Sequence, residues 1–156
     1  MRQVLTTGPE GSVGPPAAML QDTLIELITL SLQAKQAHWN VTGPGFRPLH
    51  ELLDELTDQY RDWYDTVAER MTAIGVAPDG RLSTIGAAAP FAELPEGQLL
   101  DGDVIRFFDE RISVAAGRVR DRSNALADGD IATQDVLIEV LRGMEKQRWM
   151  IRAHRT

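Results

Sequence analysis

The stretch "QAHWNVTGPGFRPLHELLDEL", residues 36–56, carries two of the three histidines of the chain. Twelve positions separate His38 from His50, and Asp54 follows four positions later. Asp65 comes eleven positions after Asp54, and Glu69 four after that. Imidazole nitrogens and carboxylate oxygens together suit a divalent iron, zinc or manganese ion. The chain has no cysteine, which removes thiolate sites, a catalytic thiol and disulfides from consideration.

Helical geometry decides whether these groups can meet. With His50 as zero, Asp54 lies at about 40°, Asp65 at about 60° and Glu69 at about 100° around a helix. All four share one face, opposite a leucine stripe. Asp54 and Asp65 are nevertheless about 16 Å apart along the axis, whereas metal–ligand bonds are about 2 Å long. One straight helix therefore supplies only half-sites. Two chains paired antiparallel about a two-fold axis would bring the His50–Asp54 end of one to the Asp65–Glu69 end of the other, creating two equivalent sites. His38 joins its own half-site because VTGPG reverses the chain. A plainer reading competes on the same residues. Glu51, Asp58 and Asp62 also lie on this polar face, which would then simply be solvated. Asp65 and Glu69 would be a surface pair flanked by Arg61 and Arg70, and Trp39 a core residue.

The elements that hold these groups are helical. Residues 17–41 form an amphipathic helix through Leu20, Leu24, Leu27, Ile28, Leu32 and Ala34, stopped by Gly43, Pro44 and Gly45. A second helix runs from Pro48 to Ile74, with its stripe from Leu49 to Met71, and Gly75 ends it. Residues 75–100 make a long Gly-, Pro- and Ala-rich connection with one short helix near Leu82–Ala88. A third helix follows Asp101 and runs to Leu126, and a fourth spans Ile131–Ala153. The expected fold is all-α: one four-helix bundle with a long crossover between the second and third helices. The domain occupies residues 17–156, and residues 1–16 read as a polar, mobile arm without the apolar core of a signal peptide.

Composition narrows the partners. The 156 residues match one domain, and acidic residues outnumber basic ones 23 to 16, a formal charge of −7. That balance opposes nonspecific nucleic-acid binding, which needs clustered positive charge. No apolar run approaches the roughly 20 residues that span a bilayer. Cysteine-free composition suits a reducing compartment.

The string "AHWNVTGPGFRPLHELLDEL", followed by "DTVAERMTAIG", closely resembles the Dps family of ferritin-like DNA-binding proteins from starved cells. The resemblance extends over everything after about residue 17, including "EKQRWMIR" on the last helix. It implies a ferritin-like four-helix bundle and a hollow shell of twelve subunits. It implies a ferroxidase site between two-fold-related chains, built from His38, His50, Asp54, Asp65 and Glu69. Two Fe(II) ions would bind there and give one electron each to hydrogen peroxide, with ferric iron stored inside. His38 and His50 would supply nitrogens, and Asp54 and Glu69 oxygens. Asp65 would serve the weaker iron or act indirectly. The conventional intrachain ferritin centre needs Glu-x-x-His motifs, and none occurs here. His154 reads as a surface residue.

In the resembled family, acidic residues near the start of the last helix line a three-fold pore. The matching positions are Asp130, Asp135 and Glu139. Asp130 is equally a natural helix cap. DNA binding, the family's second activity, often uses a lysine-rich tail. The arm here carries only Arg2 as a positive side chain, and the basic end Lys146, Arg148, Arg152 and Arg155 partly suits a helix C-terminus. Strong DNA binding is not expected. The alternatives are a nucleoid-binding structural protein with secondary iron oxidation and a bundle with a structural zinc at its dimer interface. The expected setting is the bacterial cytoplasm or nucleoid.

Overall fold

The computed structural model describes residues 14–155. The chain order is α1 (Pro15–Asn40), β1 (Val41–Thr42), α2 (Phe46–Ala73), α3 (Leu82–Ala88), β2 (Leu99–Leu100), α4 (Asp101–Ala125) and α5 (Ile131–Arg152). The four long helices stand where the hydrophobic periodicity puts them, and the crossover carries the short helix expected near Leu82–Ala88. The N-terminal arm lies outside the described residues up to residue 13, and Pro15 and Pro16 already belong to α1. Proline is at ease in a first helical turn, where its missing N–H would have had no intrahelical partner. The same reason lets α2 start two residues before Pro48.

α1 packs along α2 and α4 along α5, and the two hairpins close on each other through α1–α4 and α2–α5 contacts. Leu20, Leu27, Leu30, Leu53, Leu56, Tyr60, Phe108, Ile112, Leu137 and Met144 are fully buried between them. Leu32 departs from the expected stripe and is 57% exposed. It lies twelve residues after Leu20, about 120° round the helix, so it points away from the core. The end of α2 is a Schellman motif: Val76 N–H donates to Met71 O (2.9 Å) and Gly75 N–H to Thr72 O (3.0 Å). Gly75 takes the left-handed φ of +83° that this turn requires.

Polar pins fasten the crossover to α1. Gln21 exchanges two hydrogen bonds with the Asp79 backbone (2.8 and 2.9 Å), and Gln33 donates to Ala92 O (2.9 Å). Glu26 is buried and receives Arg118 (2.9 Å) and Arg122 (2.7 Å) from α4. Arg118 also donates to Pro90 O and lies over the Phe91 ring. A small element was not anticipated: β1 and β2 pair in parallel, Val41 with Leu99 and Thr42 with Leu100. This pairing ties the α1–α2 turn to the end of the crossover. Among the described residues, no helix is long and apolar enough to cross a membrane.

Two stability predictions follow from this packing. A Cβ on Gly143 would lie 2.0 Å from Trp63 Cζ2, so α5 approaches α2 only because that methyl is missing. Gly143→Ala is expected to cost about 2 kcal/mol through overpacking, despite the better helix propensity of alanine, read by urea unfolding under circular dichroism. Asp130 caps α5 by accepting from Thr133 N–H (3.0 Å) and also receives Arg70 (2.9 Å). The Thr133 hydroxyl and backbone N–H, then Arg70, hold its carboxyl below the usual range against the opposing effect of burial. A depressed folded pKa stabilises above the unfolded value and stops doing so as pH falls through the folded one. Asp130→Ala should therefore cost about 1 kcal/mol at neutral pH, a deficit that closes as the pH drops below about 4.

Candidate metal centre

His38 sits in the last turn of α1 and His50 in the second turn of α2, with only residues 41–45 between the helices. The two imidazoles stack with centroids 3.7 Å apart and planes 17° from parallel. Each ring is anchored to the other's backbone: His38 Nδ1 meets His50 O at 2.8 Å, and His50 Nδ1 meets His38 O at 2.7 Å. A carbonyl oxygen only accepts, so both Nδ1 atoms carry hydrogen. Each neutral ring then keeps its lone pair on Nε2, the atom free to bind a metal. Phe46 packs against His50 with centroids 5.0 Å apart.

One turn further into both helices, Lys35 forms an ion pair with Asp54. The Lys35 hydrogen bond is the main reason the Asp54 carboxyl lies below its usual range, with burial opposing it. The two histidines are thus brought together, while Asp54 lies one turn deeper on α2, paired with Lys35. Lys35 was not expected there. Its position three residues before His38, on the same helix face, is the signal that would have found it.

Asp65 and Glu69 stand apart, exposed on the far half of α2. Arg61 and Arg70 do not neutralise them, because Arg61 lies nearest Asp58 (3.7 Å) and Arg70 pairs with Asp130 (2.9 Å). No ion pair of Asp65 or Glu69 occurs among the described residues. Nor does any group of three or more histidine, aspartate or glutamate side chains there form a metal cage within a single chain. Trp39, expected in the core, is 68% exposed, and Leu32 and Phe46 are also exposed.

On α5, Asp135 and Glu139 are exposed, whereas Asp130 is committed to Thr133 and Arg70. The basic C-terminal end folds back on Asp109, a buried carboxylate that receives Arg148 and Arg155 at 2.7 Å each, with Arg152 at 4.0 Å. Burial pushes Asp109 up, but these arginines outweigh it and hold the carboxyl below its ordinary range. His154, expected at the surface, is half-buried. Its Nδ1 donates to Met150 O (2.9 Å), and it lines a cavity of about 750 Å³ with Gly45, Asp101, Arg106 and Arg155.

Comparison with known proteins agrees with this architecture. A ferritin-like domain model matches residues 17–156. DNA protection during starvation protein 2 of Deinococcus radiodurans is 42% identical over 134 residues, which is 86% of this chain and 56% of that protein. The chain thus spans little more than half of that relative's length. The DNA protection during starvation protein of Agrobacterium fabrum is 31% identical, with 94% of this chain and 91% of that protein covered. The solved structure of Dps from Microbacterium arborescens in its high iron form has a TM-score of 0.87 at 35% identity, covering 97% of this chain and 98% of that one. The chain therefore belongs to the ferritin-like proteins and, among them, to the DNA protection during starvation (Dps) family.

Proposed function

We propose that this chain is a mini-ferritin that oxidises Fe(II) at sites shared by two-fold-related subunits and stores the ferric product inside a twelve-subunit shell. The observation that carries the reading is the His38–His50 pair. Its reciprocal anchoring spends both Nδ1 hydrogens on backbone carbonyls and leaves two Nε2 lone pairs, with the Lys35-paired Asp54 carboxylate one turn deeper. Two more carboxylates, Asp65 and Glu69, have no counterion among the described residues on the same face of α2. An antiparallel partner would bring them to the histidines. The exposed apolar side chains of Trp39, next to His38, and Phe46, packed on His50, favour a face covered by protein.

In this reading iron is the substrate and the protein supplies geometry. His38 and His50 bind through nitrogen, Asp54 and the partner-facing Glu69 bind through oxygen, and Asp65 serves the second iron directly or through water. Lys35 holds the Asp54 carboxylate ionised and aimed before iron arrives. Two Fe(II) give one electron each to hydrogen peroxide, whose O–O bond breaks and takes up two protons to give two waters. Pairing the electrons avoids one-electron cleavage to hydroxyl radical. Exposed Asp135 and Glu139 would draw Fe(II) towards a pore as rings of carboxylates. Asp130 fits that task less well, since its oxygens already serve Thr133 and Arg70.

DNA compaction is secondary in this proposal. Of Lys146, Arg148, Arg152 and Arg155, the three arginines converge on Asp109, so much of the C-terminal positive charge is already answered. The arm around Arg2 lies outside the described residues.

Two measurements check the proposal. After anaerobic Fe(II) loading, a peroxide pulse should raise ferric absorbance quickly with two Fe(II) consumed per peroxide. In an assembled His50→Ala, Glu69→Ala double variant the rate should fall to that of iron in buffer. Unchanged oxidation in that variant would remove the shared site, and slow oxidation by the natural chain would put a structural zinc ahead. In a gel-shift titration, no retarded DNA band is expected near 0.15 M salt. Strong retardation there would favour the nucleoid-binding role.

A further inference from the structure

The histidine pair depends on where α1 stops and α2 starts, so whatever fixes the intervening turn also sets the imidazole spacing. Gly45, the cap residue of α2, has no side chain to cap its own helix. The cap comes from α4 instead. Asp101 Oδ2 accepts the Gly45 N–H at 2.6 Å, from a residue 56 positions away, while Asp101 Oδ1 accepts Gly102 N–H at 2.8 Å. One carboxylate thus serves the positive ends of two helices, α2 and α4, both of which favour an anion.

Space for that carboxylate exists only because of two glycines. A Cβ on Gly43 would lie 2.8 Å from Asp101 Cγ and Oδ2, and one on Gly45 would lie 2.9 Å from Oδ2. Gly43 also takes a φ of +116° that other residues rarely adopt. Beside this interlock, Val41 and Thr42 pair with Leu99 and Leu100, and Thr42 Oγ1 donates to Leu99 O (3.2 Å). The strand leaving the His38 helix and the cap preceding the His50 helix are both fastened to the same end of α4.

We propose that Asp101 is a positioning residue for the metal centre. Through the Gly45 cap and the Gly43–Gly45 turn, it holds α2 at the height where His38 and His50 exchange their hydrogen bonds. It touches neither imidazole and acts through backbone alone. This inference rests on reading His38 and His50 as metal ligands.

Co(II) is a suitable probe, because the intensity and position of its visible bands report ligand geometry independently of iron turnover. Assembled natural protein and the variants Asp101→Ala, Asp101→Asn and Gly43→Ala would be titrated with Co(II), with helicity checked by circular dichroism. Asp101→Ala and Gly43→Ala should each lose about tenfold or more in Co(II) affinity, the range for groups that orient ligands, with altered bands. Asp101→Asn keeps an acceptor oxygen for Gly45 and should stay within about threefold, as aspartate and asparagine cap comparably.

Natural affinity and bands in Asp101→Ala or Gly43→Ala would overturn the proposal. Should Asp101→Ala fail to assemble, Gly43→Ala and the asparagine rescue decide the matter alone. If the natural protein shows no Co(II) bands that vanish in His38→Ala, the metal-site reading falls and this inference with it. If those bands are present but indifferent to Asp101 and Gly43, only the positioning role falls.

Discussion

Reversal of the chain between α1 and α2 is the constraint from which the local chemistry follows. Residues 41–45 turn the chain tightly enough for His38 and His50 to face each other across the two helices. Each imidazole then finds the backbone carbonyl of the other residue within hydrogen-bond reach. A ring held this way has one tautomer and one orientation, the preparation that a ligating imidazole receives from a hydrogen bond on its second nitrogen. A looser turn would let the helices splay, and the Lys35–Asp54 pair one turn deeper would separate with them.

The distribution of charge points the same way. Most buried or half-buried acids are answered within the fold: Glu26 by Arg118 and Arg122, Asp109 by Arg148 and Arg155, and Asp130 by Arg70. These pairs join different helices, and losing one partner of a buried pair leaves a costly uncompensated charge. The formal charge of −7 is therefore not spread evenly in its effect. Asp65 and Glu69 on α2, with Asp135 and Glu139 on α5, stand exposed without ion pairs among the described residues. Carboxylates left in that state attract cations, and under the proposed function two of them complete the half-site of a partner.

Much of this protein was legible in local patterns. The leucine stripes located four long helices, and the short helix at Leu82–Ala88 appeared where it was expected. The helical rise forecast that Asp65 and Glu69 stand apart from His50 along α2. Those inferences succeed because they depend on neighbours three or four residues apart on a helix, where rotation and rise are nearly invariant. Even the helix starts that differed, at Pro15 and Phe46, shifted by only two residues, the scale on which proline in a first turn is tolerated.

Tertiary structure decided what lies between distant segments. Asp101 capping Gly45, the Val41–Leu99 and Thr42–Leu100 pairing and the arginines gathered on Asp109 join residues tens of positions apart. No periodicity encodes such partners, since they depend on how the crossover returns the chain to the α1–α2 turn. Trp39 and Leu32 show the same limit from the other side. Helical spacing drew Leu32 into the buried stripe and apolar character suggested a core place for Trp39, yet both are exposed in the packed fold. The sequence by itself determined the helices and which groups share a helix face, because both follow from backbone geometry. Only the packed fold decided which of those groups meet, which are neutralised and which are left facing outward, because these depend on contacts between segments remote in the chain.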